Sequence, residues 1–196
     1  MRPILSKSRS ARPLGAALLA VAALAVGCAK HDLVMRVDLL SFTPELQAPF
    51  VFPPVPVTPG GLATGEQALV DDDVVSLIEG LSDASTIENV SFRMRSVATA
   101  ITGTGTDTLR VYVSDMLTDP RTTEPIATDI VTFQAGVPDT SQLVIDGNSR
   151  LNALFKNSQI RLSVTTSLRG PATGAPLEGS LEIVGMDAVI VAGRKL

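Results

Sequence analysis

The densest group of side chains that could bind an ion is the acidic triplet Asp71-Asp72-Asp73. Carboxylate oxygens are the ligands that Ca²⁺ takes in proteins. Adjacent side chains on a strand point to opposite faces, so all three could hold one ion only if the segment is a loop. The alternative is a solvated turn or helix start, where acidic residues are stabilised by the helix N-terminus. We favour this alternative and predict no metal site and no cofactor; the triplet is the metal candidate that remains.

Two other motifs have a simpler structural interpretation. Asp146-Gly147-Asn148 resembles a fragment of a calcium loop, but the residues after it are apolar and basic and supply no terminal acidic ligand. Gly103 and Gly105 form a Gly-x-Gly without a third glycine at the spacing of a phosphate-binding loop. Both motifs are therefore predicted to be turns.

The residues of the common catalytic sites are scarce. His31, the only histidine, lies three residues after Cys28, the only cysteine, where no core can position it. This argues against a Ser-His-Asp arrangement, a cysteine nucleophile and a zinc-thiolate site in the domain. With 20 Asp and Glu residues, the sequence cannot select a glycosidase pair. We predict that the protein is not an enzyme, and a carboxylate-dependent hydrolase stays as an alternative.

The start of the chain has the layout of a secretion signal. It carries no acidic residue and four basic ones, Arg2, Lys7, Arg9 and Arg12. An apolar run follows at 14–26, which is shorter than the roughly 18 residues that a transmembrane helix needs. The run is therefore predicted to direct export rather than to remain in the membrane.

The run ends in Leu24-Ala25-Val26-Gly27-Cys28, where small residues lead into the cysteine. This segment resembles the lipobox of bacterial lipoproteins, a resemblance that covers the first 28 residues. It implies that residues 1–27 are removed, that Cys28 receives a diacylglyceryl thioether, and that the new amine is acylated. Residue 29 is Ala rather than the Asp that retains such proteins at the inner membrane, which implies the outer membrane. The alternative is a plain secretory signal with a chance cysteine.

The rest of the chain has the composition of one secreted β domain. Residues 28–196 have the length of a single domain with a real core. The whole chain has a formal net charge of −4, and the mature part is more acidic because the leader is basic, which makes nucleic acid a poor partner. A single cysteine permits no intrachain disulfide. Val, Leu, Ile and Thr dominate, a composition typical of strands.

Alternation of apolar and polar residues predicts the strands. The first is at 33–39, and two more, at 90–100 and 109–113, flank the polar turn at 102–107 and are predicted to form an antiparallel hairpin. Changes of phase near Ser96-Val97 and at Gly185 predict bulges. Further strands are predicted at 130–134, 143–146, 159–168 and 177–191.

Two short helices and one proline-rich segment complete the prediction. Asn148 or Ser149 could cap a helix that buries Leu151, Leu154 and Phe155. A second helix could begin at Asp73, with a strand through 68–70 as the competing interpretation. The segment 43–65 holds six of the 13 prolines, so it cannot be a central strand and is predicted to be extended and to lie against the domain.

These observations predict an all-β antiparallel sandwich, immunoglobulin-like or jelly-roll in outline, with one or two short helices. The predicted organisation is a lipoprotein signal peptide at 1–27, a lipidated tether at 28–33 and one domain at 34–196. We expect a non-catalytic structural or interaction module of the bacterial envelope, whose partners are membrane lipid, through Cys28, and an envelope protein or glycan. The alternative is a lipoprotein that holds a small or apolar ligand between its sheets, which would require an apolar pocket.

Overall fold

The computed structural model describes residues 33–77 and 85–194, which form an all-β sandwich of two antiparallel sheets, as the sequence predicts. The predicted signal peptide, Cys28 and His31 lie outside the described residues. The elements, in chain order, are β1 Leu33–Asp38, β2 Phe50–Val55, β3 Gln67–Ser76, β4 Ser85–Thr102, β5 Thr104–Ser114, β6 Ala127–Gln134, β7 Asp139–Ile145, α1 Ser149–Leu154, β8 Gln159–Arg169 and β9 Leu177–Arg194.

The first sheet is built on the long strand β9, which pairs with β4 on one side and with both β1 and β2 on the other. Strand β7 completes this sheet beyond β4. The second sheet has the order β3-β8-β5-β6. The inward side chains of the two sheets form one apolar core, to which β4 contributes Val90, Phe92 and Met94 and β8 contributes Ile160 and Leu162.

The predicted hairpin between β4 and β5 is wrong, because these strands lie in different sheets. Strand β4 pairs with β7 and β9, whereas β5 pairs with β6 and β8. Gly103 links them with a φ of +71°, and a Cβ there would lie 2.5 Å from the carbonyl oxygen of Pro176. The turn predicted at 102–107 is therefore reduced to Gly103, where the chain passes from one sheet to the other, and Gly105 lies within β5. Alternation identifies the inward face of a strand and does not identify its neighbour.

The predicted bulge at Gly185 is confirmed, and the bulge predicted near Ser96-Val97 is the same register shift seen from β4, although the extra residue is not in β4. Arg95 is paired with Gly185 and Ser96 with Ile183, so the extra residue is Val184 of β9. The inward phase of β4 is unbroken from Val90 to Ala100, and the polar Ser96 occupies one of its inward positions with only 1% of its surface exposed.

The helix predicted from Asp73 is wrong at its start, because residues 73–76 belong to β3, and the competing strand through residues 68–70 is confirmed as part of β3; the later residues of that prediction, from 78, lie outside the described residues. A register shift between Val70 and Asp73 adds one residue to β3, where Asp72 has a φ of +68°. After this bulge the inward residues Val75 and Leu77 again alternate, but the exposed Val74 is also apolar, and this adjacent pair imitates the spacing of a helix. The other helix is confirmed: the Asn148 side chain accepts hydrogen bonds from the N–H groups of Arg150 and Leu151.

Part of the proline-rich segment is more regular than predicted. Residues 44–47 form a 3-10 turn, and Phe50–Val55 is the strand β2 at the edge of the first sheet. Its pairing with β9 shifts between Phe52 and Val55, where Pro53 and Pro54 lack N–H donors. The segment does lie against the domain, since the Phe52 ring packs edge-on against Phe133 with a centroid separation of 5.2 Å.

Candidate functional site

The outer surface of the second sheet carries mostly polar side chains, and we call it the polar face. Leu109, Val111 and Val113 of β5 point into the core, so the residues between them point outward. The strand register places polar residues opposite one another in rows, namely Thr132-Thr106-Arg169, Thr128-Arg110-Thr165, Tyr112-Ser163 and Ser114-Arg161. Ile130, 64% exposed, is the large apolar side chain on this face of β6.

The centre of the polar face is organised by Glu66, which precedes β3. Its Oε1 accepts hydrogen bonds from the Tyr112 hydroxyl at 2.9 Å and from the Thr165 hydroxyl at 2.5 Å. Arg110 Nη1 lies 3.8 Å from Glu66 Oε2. The hydrogen bond from Thr165, with smaller contributions from Tyr112 and Arg110, lowers the pKa of Glu66 against the opposing effect of burial.

Tyr112 is the complementary partner in this cluster. Burial, together with the neighbouring Glu66 carboxylate, raises the pKa of its hydroxyl. Tyr112 therefore stays a hydrogen-bond donor and Glu66 a charged acceptor over the physiological pH range. A general acid or base works best with a pKa near the operating pH. The pKa of Glu66 is lowered and the pKa of Tyr112 is raised, so both move further from pH 7. The cluster is therefore suited to stabilising the structure and not to proton transfer.

One end of the polar face contains a shallow depression of about 400 Å³. The polar residues that line it are Thr104, Thr106, Thr132, Gln134 and Arg169, and Gly105, Phe133, Gly170 and Pro171 complete a lining that is more apolar than polar. Arg169 is held in place because its Nη2 donates to the carbonyl oxygen of Gly60 at 2.8 Å. Such a lining can form several hydrogen bonds to a polar ligand, and none of these five side chains is an acid or base near neutral pH.

The acidic triplet does not form one site. Asp72 makes a two-pronged ion pair with Arg161, while Asp71 Oδ1 lies 3.1 Å from Arg121 Nη2. Asp73 faces neither arginine; its pKa is raised by burial and by the nearby Glu45 carboxylate. Because the bulge sends the three carboxylates to different partners, they do not converge on a common point. Within 33–77 and 85–194, no group of three or more His, Cys, Asp or Glu residues is placed to hold a metal ion.

The Asp146-Gly147-Asn148 motif is a turn, as predicted, and Gly147 has a φ of +68°. Asp146 Oδ1 accepts hydrogen bonds from Asn89 Nδ2 at 2.6 Å and from the Ser91 hydroxyl at 2.7 Å. These bonds lower the pKa of Asp146. The carboxylate therefore joins the end of β7 to β4.

A buried carboxylate that sequence reasoning missed is Asp107 on the inner side of β5. Its Oδ1 accepts the N–H of Ser167 at 2.9 Å, and its Oδ2 accepts the hydroxyl of Thr166 at 2.5 Å. Burial raises the pKa of Asp107, although these hydrogen bonds oppose the increase. Its position in the strand could have identified it, because Asp107 lies two residues before Leu109 and four before Val111 and therefore points to the same inward face. Glu66 and Tyr112 were missed as well, since residues so far apart in sequence show no motif.

Elsewhere, the described residues enclose two small cavities with partly apolar linings. One, of about 160 Å³, is lined mainly by Leu46, Phe50, Leu69, Leu181 and Ile183. The other, of about 90 Å³, lies between β2 and Leu168. Pockets for small ligands usually measure roughly 300–1,000 Å³. Neither cavity reaches that range.

Comparisons with known proteins provide no family for this chain. No protein-family model matches it, and no curated protein matches it. Among solved structures, the chain is similar to the T13 particle of infectious bursal disease virus, with a TM-score of 0.42 and 13% identity, over 83% of this chain and 35% of that one. A structure of the Gx strain has the same TM-score and identity, over 87% and 38%. The chain thus spans less than half the length of these proteins, and the similarity supports no assignment of activity.

No helix in the part of the chain that the structure describes is long and apolar enough to cross a membrane.

Proposed function

We propose that this protein is a lipid-anchored, non-catalytic interaction module of the bacterial envelope, which binds a glycan through its polar face. The anchor is acylated Cys28, on the grounds of the lipobox-like segment, and the outer membrane is the proposed location. The observation that carries the binding proposal is the depression of about 400 Å³ at the end of the polar face.

The lining of this depression fits a hydroxylated ligand. Threonine hydroxyls both donate and accept hydrogen bonds, the Gln134 amide does the same with separate atoms, and the Arg169 guanidinium donates. Sugar hydroxyls need this mixture of donors and acceptors. The row of Thr106 and Thr132 ends at Ile130 in the adjacent row, where it faces Thr108, so the hydrogen bonds to a sugar would be concentrated at the depression.

The geometry gives less support to the two alternatives. A ligand-binding lipoprotein needs an apolar pocket, and the cavities beside Leu181 and Leu168 are below the usual range. A carboxylate-dependent hydrolase needs two acids with shifted pKa values in one concave site. Among the described residues, Glu66 lies on the polar face, Asp107 inside the core and Asp73 beside Glu45, so these acids do not share a site.

The binding proposal is tested by sedimentation of the purified protein with isolated cell-wall sacculi. A Thr132→Glu substitution puts a charge into the depression, and Thr99→Glu is the matched control, an exposed threonine on the outer side of the first sheet. We expect the parent and the Thr99→Glu protein to sediment with sacculi and the Thr132→Glu protein to remain in solution. Equal sedimentation of the two variants, or none by the parent, would overturn the proposal for wall glycan.

The anchoring proposal is tested by fractionation of cells that produce the Cys28→Ala protein. Each buried methylene of an acyl chain contributes about 0.8 kcal/mol to membrane binding, so two or three chains anchor a protein in effect permanently. The variant should therefore move to the soluble fraction or remain uncleaved. If it is processed and fractionates with membranes like the parent, the lipid anchor is wrong.

A further inference from the structure

The loop after β5 presents an apolar side chain to solvent from a firmly held backbone. Leu117 is 95% exposed, and the preceding Met116 is 41% exposed. The Asp115 side chain accepts the N–H of Leu117 at 3.0 Å, and the Ser114 hydroxyl donates to the carbonyl oxygen of Thr118 at 2.6 Å. These two hydrogen bonds fix the backbone on both sides of Leu117, whose side chain lies in water, where an apolar group is unfavourable.

This loop lies at the same end of the sandwich as the start of β1. Helix α1 joins the two sheets there: the Asn152 side chain accepts the N–H of Val90 at 2.7 Å, and Arg150 Nη2 donates to the carbonyl oxygen of Val113 at 3.1 Å. In the first sheet, β1 begins at this end, with Leu33 paired to Ala192. We call it the anchor end.

The chain itself limits how far this end can lie from the lipid. Leu33 is five residues after Cys28. A fully extended chain spans at most about 3.6 Å per residue, so Leu33 lies within roughly 18 Å of an acylated Cys28. The adjacent Leu33 and Val34 are themselves about half exposed.

We propose that the anchor end rests on the membrane and that Met116 and Leu117 insert into the lipid interface. This inference rests on the acylation of Cys28 proposed above. Transfer of these apolar side chains from water to the lipid interface is favourable. The flanking Asp115 and Asp119 carboxylates are negatively charged, so they favour zwitterionic over anionic headgroups. The module would then stand upright, with its depression near the opposite end of the sheets.

An exposed apolar residue at that opposite end provides the control. Ile101, 74% exposed, follows Val90 by eleven positions along β4. At about 3.3 Å per residue, Ile101 lies about 36 Å from the level of Val90, so one orientation cannot bring both ends to the same membrane.

The experiment uses the absence of tryptophan from the chain. The acylated protein with Leu117→Trp, and the same protein with Ile101→Trp, are each reconstituted into phosphatidylcholine vesicles with and without brominated acyl chains. We expect the indole at position 117 to emit at shorter wavelength in vesicles and to be quenched by the brominated lipid. The indole at position 101 should show neither change. Far-UV circular dichroism of both variants checks that the fold is kept.

The mass of the N-terminal peptide is measured on the same samples, so that the two proposals can fail separately. Membrane contact by this loop is overturned if Cys28 is acylated but the indole at position 117 is not quenched. It is also overturned if the indoles at positions 117 and 101 are quenched equally. In both cases the lipid anchor itself is still supported. An unmodified Cys28 overturns both proposals.

Discussion

Replacing the buried Asp107 with residues of nearly the same shape tests how its carboxylate and its hydrogen bonds affect the stability of the domain. Asp107 is completely buried and accepts two hydrogen bonds, from the N–H of Ser167 and the hydroxyl of Thr166. An Asp107→Leu substitution leaves both donors without an acceptor, at about 1–3 kcal/mol each. Because loss of the buried charge offsets part of this cost, we expect a net loss of roughly 2–4 kcal/mol. That is a large part of a typical domain stability of about 5–15 kcal/mol.

Asp107→Asn is the matched variant, because its carbonyl oxygen can still accept the N–H of Ser167. Burial raises the pKa of Asp107 above its ordinary value of 3.8, so the folded parent holds this proton more tightly than the unfolded chain does. The contribution of this carboxyl to stability is therefore complete below pH 3.8 and is lost as the pH rises through the raised pKa. The uncharged Asn avoids that loss, and this variant should be more stable than the parent at pH 7.

Equilibrium urea unfolding, followed by circular dichroism, measures both effects. We expect the advantage of Asp107→Asn over the parent to shrink as the pH is lowered from 7 towards 3.8. If Asp107→Leu is as stable as the parent, or if the Asn variant loses as much as the Leu variant, the account of this buried group is refuted.

Three further predictions concern single sites. A Gly179→Ala protein should unfold at much lower urea, since its Cβ would lie 2.2 Å from a backbone carbonyl oxygen, whereas Gly65→Ala, with nothing within 4 Å, should be neutral; equal midpoints would contradict this packing. Asn148→Ala removes the cap of α1 and should cost about 1 kcal/mol in urea unfolding, and no loss would mean that the cap does not contribute. Tyr112→Phe deletes a hydrogen bond to Glu66, so the pKa of Glu66 should rise in an NMR titration; an unchanged titration would show that the bond is absent.

Local patterning predicted most strands because each had a clear inward face. In β1, Met35 and Val37 alternate with exposed residues, and in β8 the inward phase from Ile160 to Leu168 is buried throughout. The partners of a strand depend on contacts that the pattern does not encode. Strands β4 and β5 are separated by Gly103 alone and still belong to different sheets.

Bulges caused two of the other errors. The extra residue near Asp72 changed the apparent period of β3, and Val184 of β9 was the extra residue that had been assigned to β4. The position of a bulge depends on the partner strand as well as on the residues of the bulged strand. The pattern of one strand alone therefore does not locate it.

The polar face could be predicted only in its composition. Once the inward residues of β5 are identified, the alternation of the strand predicts that its threonines point outward. The Glu66–Tyr112–Thr165 cluster forms because β3 and β5 both lie beside β8. In sequence, Tyr112 is 46 positions and Thr165 is 99 positions from Glu66. No local motif reports a contact of that kind.

The most direct test of the account is the mass of the N-terminal peptide of the protein recovered from cell membranes. We expect a peptide that begins at Cys28 and carries a diacylglyceryl thioether and an acylated amine. A peptide that begins elsewhere, or an unmodified Cys28, would contradict it.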